Sequence, residues 1–581
     1  MRRKGNTSTM VFGRFLLLLS ALAVGIAEAV VPPAAAPQFE ISISASLHRE
    51  PITGRLLLMI SRTNDPEVRY QVGGITSPPV FGVDVQHLAA GRSAIIDDRV
   101  PGFPLSSLKE LPAGEYYVQA LLNVYTEFHR ADGHVIWAHM DQWEGQQFNR
   151  SPGNLFSKPE KMQLGGPEHT RVKLSLTEVI PPIVVPPDTD WVKHIKIQSE
   201  LLTRFWGRPM YIGAVVLLPK DYKDHPDTRY PVIYQQGHFT LSAPFGFSTD
   251  NPPDNEEWRR WRETRGLETG YEFYQKWNSE HFPRVIAVSF LHPTPYFDDS
   301  YAVDSANNGP YGAALMTELI PYIEKNFRTI AKPYARLLTG GSTGGWASLA
   351  LQLLHPDFFG GTWTLYPDPV DFRRLQLVNI YEDDNMFVLA PKNIPIWLRQ
   401  DWVSSERAFA RGDDGQTTTT VRQESQVEAV LGSKGRSGGQ LDIWNAVFGP
   451  VGADGYPKPL FDATSGTIDH SVALYMRDHG YDLRYYAEKN WARVGPMLSG
   501  KLNLACGDMD NFYLNLGVNL FSQFLKTAGG RDAQDMLQYG TPMKGHGWQP
   551  MPDAALVQLM ADRAASRTSA EANVGWSGRG P

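Results

Sequence analysis

The chain has 581 residues, of which 42% are hydrophobic, and its formal net charge is -7 at pH 7. This length predicts two or more domains, and the mild charge gives no reason to expect a nucleic-acid partner. The single cysteine, Cys506, excludes an intramolecular disulfide, so stability must come from packing. Cys506 ends the apolar run "LNLAC", which predicts a buried strand with a packed, unreactive thiol.

The N-terminus, residues 1–29, has the features of a secretory signal peptide. A charged start, "RRK", precedes an apolar core at 15–24, and "AEA" at 27–29 offers a small-residue cleavage site. The apolar run is too short to span a bilayer comfortably, so no stable membrane insertion is expected, although a retained N-terminal anchor is the alternative. The sequence therefore predicts a secreted or periplasmic protein.

Residues 38–178 have the pattern of a β-sandwich domain, with short strands separated by turns. Residues 39–44 alternate between apolar and polar, 55–61 are apolar, and 115–125 are rich in Tyr, Val and Leu. Turn pairs such as Asp-Pro, Pro-Gly and Ala-Gly separate these segments. A proline-rich segment at 179–190 then predicts a stiff linker.

Residues 191–562 change to strands interleaved with longer helices, which predicts an α/β domain with a mainly parallel sheet. Residues 379–500 are irregular in pattern and rich in Gly, Asp, Ser and Trp, so an insertion over the sheet is expected there. The Ser/Ala/Gly-rich residues 563–581 are expected to be a disordered tail. The predicted strands are 211–218, 231–234, 285–290 and 336–339, and the predicted helices are 311–327 and 345–354.

Two G-x-S-x-G patterns compete for a catalytic serine, one centred on Ser342 and one on Ser437. A nucleophile elbow requires a strand, a tight glycine turn that strains the serine, and a helix packed close to the strand. Ser342 meets these requirements, because an apolar strand precedes it and the helical stretch "WASLALQLL" follows it. Ser437 follows a helix end, and no helical run comes soon after it, so it is interpreted as a loop serine.

The order of catalytic residues along the chain gives an independent test. In α/β-hydrolases the serine is followed by an acid and then by a histidine near the C-terminus. His546 is the only histidine after Leu504, and the predicted strand before it is followed by "GDMDN", where Asp508 and Asp510 compete as the acid. Asp510 is favoured because α/β-hydrolases commonly place the acid three residues after the glycine that ends this strand. Asp508 stays open as the acid, with capping of the following turn as its other role.

These residues would carry out acyl transfer through a covalent intermediate. Ser342 would attack an ester carbonyl, His546 would take the serine proton, and Asp510 would hold the imidazole tautomer and stabilise the imidazolium. This chemistry requires no metal and no organic cofactor.

The oxyanion formed in such a reaction requires two backbone N–H donors. The N–H of Thr343, directly after the nucleophile, is the first candidate. The second is expected from the loop after the strand "YPVIYQQ", which indicates His238 or Phe239.

The stretches "RYPVIYQQGHF", "VIAVSF", "YGAALMTELIPYIEKNFRTI", "GGSTGGWASLALQLLHPDFFGG", "LACGDMDNFYL" and "GHGW" occur in this order. Together they resemble the putative-esterase family of α/β-hydrolases, which includes esterase D, feruloyl esterases, enterochelin esterases and mycobacterial mycolyltransferases. The resemblance covers roughly residues 191–551 and implies an α/β-hydrolase domain. Because β domains precede the hydrolase in enterochelin esterases, it also implies an Ig-like N-terminal domain that binds substrate or acts as a lid. A purely structural role is the alternative.

Three features depart from the family pattern. Many relatives have His-Gly after the early strand, where this chain has Gly237 and His238. Many have methionine after the serine, where this chain has Thr343, whose backbone N–H serves equally well. The long insertion before Asp510 is expected to reshape the pocket, so no substrate is inherited from any one relative.

Two other groups of polar residues have part of the pattern of a metal site. The acidic loop at 298–308 could bind calcium or line the substrate cleft, but it lacks the EF-hand spacing, so a hydrogen-bonded rim loop is favoured. His129, His134 and His139 are evenly spaced, but no Cys or Glu completes a recognisable site. No metal is therefore expected.

The sequence thus predicts an exported serine hydrolase that cleaves carboxylic esters. The expected substrates are small-molecule or carbohydrate esters of carbohydrate, hydroxycinnamate or siderophore type. Two alternatives stay open: an acyltransferase of the same fold, and a non-catalytic carbohydrate-binding or scaffolding protein. The intact serine, acid and histidine argue against the second alternative.

Overall fold

The computed structural model describes residues 36–48, 50–73, 76–165, 171–253, 255–399, 405–528 and 537–568, together with Trp576. The predicted signal peptide at 1–29 lies outside these residues. Within them, no helix combines the length and the apolar character that a membrane span requires.

The N-terminal region is rich in β-strands, as expected. Its strands are β1 (Gln38–Ile43), β2 (Ile52–Ser61), β3 (Val80–Leu88), β4 (Ser93–Ile96), β5 (Gly102–Phe103), β6 (Gly114–His129), β7 (Val135–His139), β8 (Leu155–Phe156), β9 (Glu160–Leu164), β10 (Arg171–Leu176) and β11 (Glu178–Val179). One sheet has the order β10-β1-β4, and a larger one has the order β11-β8-β6-β2-β3-β5, with β7 and β9 also paired to β6.

The two N-terminal sheets share one apolar core. Phe39 of β1 lies in the same buried cluster as Leu56 and Leu58 of β2. Successive side chains of a strand point to opposite faces, and Leu57 and Met59 of β2 are fully buried on the other face. Strand β2 is therefore covered on both sides, which explains why its stretch 56–60 is continuously apolar rather than alternating.

An eight-stranded sheet forms the centre of the α/β domain. The strands of this part of the chain, including four outside that sheet, are β12 (Val192–Ser199), β13 (Met210–Leu217), β14 (Val232–Gln236), β15 (Ile286–Leu291), β16 (Asp304–Ser305), β17 (Gly309–Pro310), β18 (Arg336–Ser342), β19 (Gly361–Pro367), β20 (Ala408–Arg411), β21 (Thr417–Thr420), β22 (Leu502–Gly507) and β23 (Leu537–Gly540). The pairs β16-β17 and β20-β21 are separate, and the other strands have the order β12-β13-β15-β14-β18-β19-β22-β23. The ladders β12-β13 and β13-β15 are antiparallel and the rest are parallel, so the sheet is mixed.

Helices cover this sheet, and four of them lie in the segment at 379–500. They are α1 (Glu200–Trp206), α2 (Glu256–Arg265), α3 (Gly270–Trp277), α4 (Tyr311–Ala314), α5 (Ile320–Asn326), α6 (Thr343–Leu354), α7 (Val421–Leu431), α8 (Gln440–Phe448), α9 (His470–Asp478), α10 (Leu483–Leu498), α11 (Leu514–Ala528) and α12 (Asp553–Ser566). A π-helical segment, Leu315–Leu319, joins α4 to α5. Pro321 follows it in the first turn of α5 and has no N–H to donate to the preceding turn. The predicted helix at 311–327 is therefore present to Asn326, with a π-helical turn inside it.

The carboxyl ends of the parallel strands define where a site can form. Strands β14, β18, β19 and β22 are neighbours, and they end at Gln236, Ser342, Pro367 and Gly507. In open α/β sheets, ligands bind outside the carboxyl ends of the strands. The residues that directly follow these four strands therefore meet at one edge.

The segment at 379–500 is more regular than its sequence indicates. It contains helices α7 to α10 and the hairpin β20-β21, so its structure is not irregular, while its place as an insertion stays a prediction. Helix α7 buries Val427 and Val430 against Leu57 and Met59 of the N-terminal sheet. Two of its apolar residues pack against strand β2, which is far away in the chain. This is why the helical pattern of α7 is weak when the segment is read alone.

The predicted disordered tail at 563–581 begins too early. Helix α12 continues to Ser566, and Ala561 and Ala564 on its inner face are buried, so packing rather than composition decides the state of these residues. Trp576 is also buried, with its carbonyl accepting the N–H of Arg284 at 2.7 Å. The other residues after 568 lie outside the described chain.

Candidate active site

Ser342 lies at the turn between strand β18 and helix α6. Its backbone has φ 57° and ψ -123°, a conformation that costs free energy in a non-glycine residue and that the surrounding structure must hold in place. Gly344 permits this turn, because a Cβ atom there would lie 2.1 Å from the carbonyl oxygen of Gln236 at the end of β14. The strand, tight turn and helix expected around Ser342 are all present.

Ser437, the competing serine, lies in the loop between α7 and α8. Helix α8 begins only three residues later, at Gln440, so the expectation that no helix follows soon is wrong. The element directly before Ser437 is a helix and not a strand, because α7 ends at Leu431. Its hydroxyl donates to Glu428 Oε2 at 3.2 Å, which gives it a structural partner inside the insertion.

His546 is bound to Asp510, with Nδ1 lying 2.8 Å from Oδ2 of the carboxylate. Asp510 is fully buried, and its other oxygen accepts two backbone N–H groups of the turn that follows it. Asp508 has another place: its Oδ1 accepts the N–H of Lys544 at 2.8 Å and so fixes the loop that carries His546. Of the two competing carboxylates, Asp510 is the one brought to the histidine.

The hydroxyl of Ser342 donates to a residue that the sequence did not single out, Asp368, at 3.2 Å from Oδ1. Asp368 directly follows β19 and is only 4% exposed. Several other side chains also donate to this carboxylate. They are Tyr301 through its hydroxyl at 2.6 Å, Gln440 through Nε2 at 3.2 Å, Thr343 through its hydroxyl at 3.3 Å and Trp444 through Nε1 at 3.4 Å.

Ser342 and His546 line the same cavity, although the serine hydroxyl is turned toward Asp368. Attack on a carbonyl requires this hydroxyl to give its proton to a base, and catalytic hydrogen bonds often form only when substrate is bound. For His546 to be that base, the Ser342 hydroxyl would have to leave Asp368 for the imidazole.

The two oxyanion residues predicted in the loop after β14 differ in whether their side chains line this cavity. Thr343 is the first residue of α6, where backbone N–H groups have no partner within the helix. The side chain of His238 lines the cavity. Phe239 instead packs edge-on against Trp143, with ring centroids 5.3 Å apart, and lines a separate groove. Of the two residues in that loop, His238 is the one at the site.

His238 is backed by two acidic residues of the loop after β15. Its Nδ1 lies 3.1 Å from Asp298 Oδ1 and 3.7 Å from Asp299 Oδ2. Burial alone would lower the pKa of His238, but the hydrogen bond to Asp298 and the charges of both carboxylates raise it. Ligand atoms of these three residues lie within 4.8 Å of one another, so within the described chain this is the group that could hold a divalent cation.

The three evenly spaced histidines of the N-terminal region do not converge on one point. Each has its own carboxylate partner: His129 with Glu127 at 2.6 Å, His134 with Asp132 at 3.2 Å and His139 with Glu144 at 2.6 Å. The described residues therefore give no metal cluster at these histidines.

A cavity of about 520 Å³ lies over Ser342 and His546. Its volume is within the range of small-molecule sites. One wall comes from the sheet edge, and the other comes from the insertion through β20, β21, α7 and α8. The lining residues are His238, Ser342, Asp368, Gln376, Phe409, Ala410, Thr418, Thr419, Glu424, Gln440, Trp444, Phe512, Leu514 and His546.

Sequence reasoning missed Asp368 and Glu424 as site residues. For Asp368 a signal existed, because it directly follows a strand of the same parallel sheet and so had to lie at the edge that carries Ser342. For Glu424 no local signal existed, since its place in the cavity depends on how α7 packs against the N-terminal region.

Residues 209–417 match a protein-family model described as "Putative esterase". No curated protein matched the chain. Among solved structures, a ferulic acid esterase is 16% identical and has a TM-score of 0.34, covering 64% of this chain and 98% of its own. An S-formylglutathione hydrolase from Agrobacterium tumefaciens is 13% identical and has a TM-score of 0.30, covering 66% of this chain and 98% of its own. The serine hydrolase FphF of Staphylococcus aureus is 14% identical and has a TM-score of 0.29. The match covers 64% of this chain and 98% of FphF.

Proposed function

We propose that Ser342, His546 and Asp510 are the catalytic triad of a serine carboxylic-ester hydrolase. The match of residues 209–417 to the putative esterase family supports this reading. The observation that carries the proposal is the conjunction of a strained serine at a strand–helix turn and a histidine–aspartate pair at one cavity. Backbone strain of this kind concentrates at functional sites.

The reaction begins when Ser342 Oγ attacks the ester carbonyl and His546 Nε2 takes the hydroxyl proton. Asp510, at 2.8 Å from Nδ1, holds the imidazole in the required tautomer and stabilises the imidazolium. The tetrahedral oxyanion is bound by backbone N–H groups of Thr343 and His238. The alcohol leaves with the proton from His546, and water then repeats the sequence to release the acid and restore the serine.

We propose esters of carbohydrate, hydroxycinnamate or siderophore type as the substrates, in a secreted or periplasmic setting. The cavity volume of about 520 Å³ suits one small acyl or sugar unit. The charged and apolar character of residues 1–29 supports export. An Ig-like character of the N-terminal region is part of the same proposal.

The test is labelling by a fluorophosphonate probe combined with turnover of short-chain and feruloyl esters. The wild type should be labelled and Ser342→Ala should not, whereas the matched control Ser437→Ala should behave as the wild type. Undiminished label on Ser342→Ala would refute the proposed nucleophile.

The acid assignment has its own matched pair of variants. Asp510→Asn should lower kcat by about 10⁴-fold, because it stabilises the wrong tautomer of the histidine. Asp508→Asn keeps an oxygen that can accept the N–H of Lys544, so it should retain most of the activity. The reverse order of these two effects would show that Asp508 is the acid.

A further inference from the structure

Glu424 lies in the wall of the catalytic cavity without a partner. It belongs to the first turn of α7 and lines the cavity together with Ser342 and His546. No hydrogen bond or ion pair to it is present among the described residues. Burial raises the pKa of this carboxyl to about 7. A half-buried carboxylate with no partner costs free energy unless a ligand supplies the opposite charge or a hydrogen bond.

Asp368 places a second carboxylate in the same cavity, directly beside the nucleophile. A carboxylate offers about four lone-pair positions, and five side chains already donate to this one. Four of these donors share Oδ2, whereas Oδ1 accepts, within the described chain, only the Ser342 hydroxyl, which must turn away from Asp368 when the serine acts as nucleophile. Asp368 thus adds negative charge to the cavity beside Ser342.

The two imidazoles that line the cavity already have carboxylate partners. The imidazoles of His238 and His546 are bound to Asp298 and Asp510. Among the described lining residues there is no lysine or arginine. An anionic ester would therefore enter a cavity that repels it, and a neutral ester would leave Glu424 without a partner.

The rest of the wall suits a cation with an apolar stem. Phe409, Trp444 and Phe512 line the cavity beside the two carboxylates. Aromatic faces attract ammonium groups, and the attraction grows when water is excluded. Carboxylates and aromatic rings at one site are thus complementary to an ammonium group.

We propose that the cavity selects esters that carry an ammonium group, which Glu424 binds directly while Asp368 adds to the negative potential. This inference rests on the proposed esterase function and, among the ester types proposed above, restricts the substrates to members that carry an ammonium group. Sugar hydroxyls could donate to Glu424, but they would not neutralise the two carboxylates, so the ammonium is the better match.

The experiment compares kcat/KM for isosteric ester pairs that differ only in charge. Methyl 6-aminohexanoate and methyl heptanoate test the acyl side, and acetylcholine and 3,3-dimethylbutyl acetate test the alcohol side. The wild type should prefer the cationic member of at least one pair by about tenfold or more, the size expected for one charge pair at a partly solvated site. Glu424→Gln should reduce this ratio toward 1, and Glu424→Asp should restore part of it.

A matched control separates the site from net charge. Glu115→Gln removes one negative charge from an exposed residue of the N-terminal sheet and should leave the ratio at the wild-type value. Equal use of both members by the wild type, or an unchanged ratio in Glu424→Gln, would overturn the ammonium proposal. A preference for 6-O-acetylglucose that Glu424→Gln abolishes would also overturn it, in favour of a sugar site.

Failure of this inference and failure of the esterase proposal give different results. p-Nitrophenyl acetate is neutral and small, so its hydrolysis by the wild type but not by Ser342→Ala reports on the nucleophile alone. Hydrolysis of this ester without a charge preference rejects only the ammonium site. Equal hydrolysis by wild type and Ser342→Ala would reject the esterase mechanism itself.

Discussion

Arg55 of strand β2 holds the end of a helix that belongs to the catalytic domain. Its Nε donates to the carbonyl of Val430 at 3.0 Å, and its Nη2 donates to the carbonyls of Ala429 and Val430 at 2.8 Å. These carbonyls lie in the last turn of α7, where a helix has no internal donors and where a positive charge is favourable. Arg55 also pairs with Asp84 at 3.0 Å and is only 4% exposed.

Substitution of Arg55 by methionine should lower the free energy of unfolding by about 3 kcal/mol. Removing one partner of a buried ion pair costs about 3 to 5 kcal/mol, and the lower end applies because Asp84 keeps a second arginine, Arg436, at 2.9 Å. Methionine preserves the apolar stem, so little of the loss comes from packing. Because α7 also carries Glu424, kcat/KM for a neutral ester should fall by about tenfold or more, as expected when a cavity wall is displaced.

Urea unfolding followed by tryptophan fluorescence gives the stability, and hydrolysis of p-nitrophenyl acetate gives the activity. The matched control is Arg62→Met, an exposed arginine of the same segment that donates to the carbonyl of Glu115 at 3.1 Å. Its effect should stay within about 0.5 kcal/mol, with unchanged activity. If Arg55→Met behaves like this control, the reasoning about the helix end is refuted. If it destabilises the protein at full activity, the link from α7 to the cavity is refuted.

Three further predictions concern the turn, the cavity wall and the thiol. Gly344→Ala should abolish fluorophosphonate labelling, because its Cβ would lie 2.1 Å from a backbone oxygen of Gln236. Gly237→Ala has open space around the added atom, so its Tm should equal that of the wild type. Burial raises the pKa of Glu424 to about 7 from an ordinary 4.5, so the folded protein keeps a proton that the unfolded chain releases. This carboxyl's stabilising contribution is present below about pH 4.5 and is lost as pH rises through 7, so Tm should fall less from pH 5 to pH 8 in Glu424→Gln than in the wild type. Burial raises the pKa of the Cys506 thiol well above its usual range, so iodoacetamide should modify it only after urea unfolding, as mass spectrometry would show.

The parts of the site that sequence reasoning reached are those encoded by short stretches. An apolar strand, a glycine turn and a helix lie within a few residues of Ser342, and each of them has a local physical signature. His546 was found because the chain has no other histidine after Leu504. The choice of Asp510 over Asp508 followed a spacing rule, and the hydrogen bond of Asp510 to His546 agrees with that choice.

The parts that sequence reasoning missed depend on contacts between distant segments. Asp368 and Ser342 are 26 residues apart, and their contact follows only from the order of strands in the sheet. Among the apolar residues of helix α7, Val427 and Val430 are buried against the N-terminal sheet rather than against the domain that contains α7. Its own amino acids could not reveal this packing, so Glu424 could not be placed in the cavity.

The N-terminal sheet, through α7, takes part in building the catalytic cavity. Arg55 binds one end of α7, and Glu424 near the other end lines the cavity. Between them Glu428 accepts the backbone N–H groups of the first turn of α8, at 2.9 and 2.8 Å, and so fixes the start of that helix. Helix α8 carries Gln440 and Trp444, which donate to the carboxylate beside the nucleophile. The buried contacts thus run from β2 through α7 and α8 to Asp368 beside Ser342.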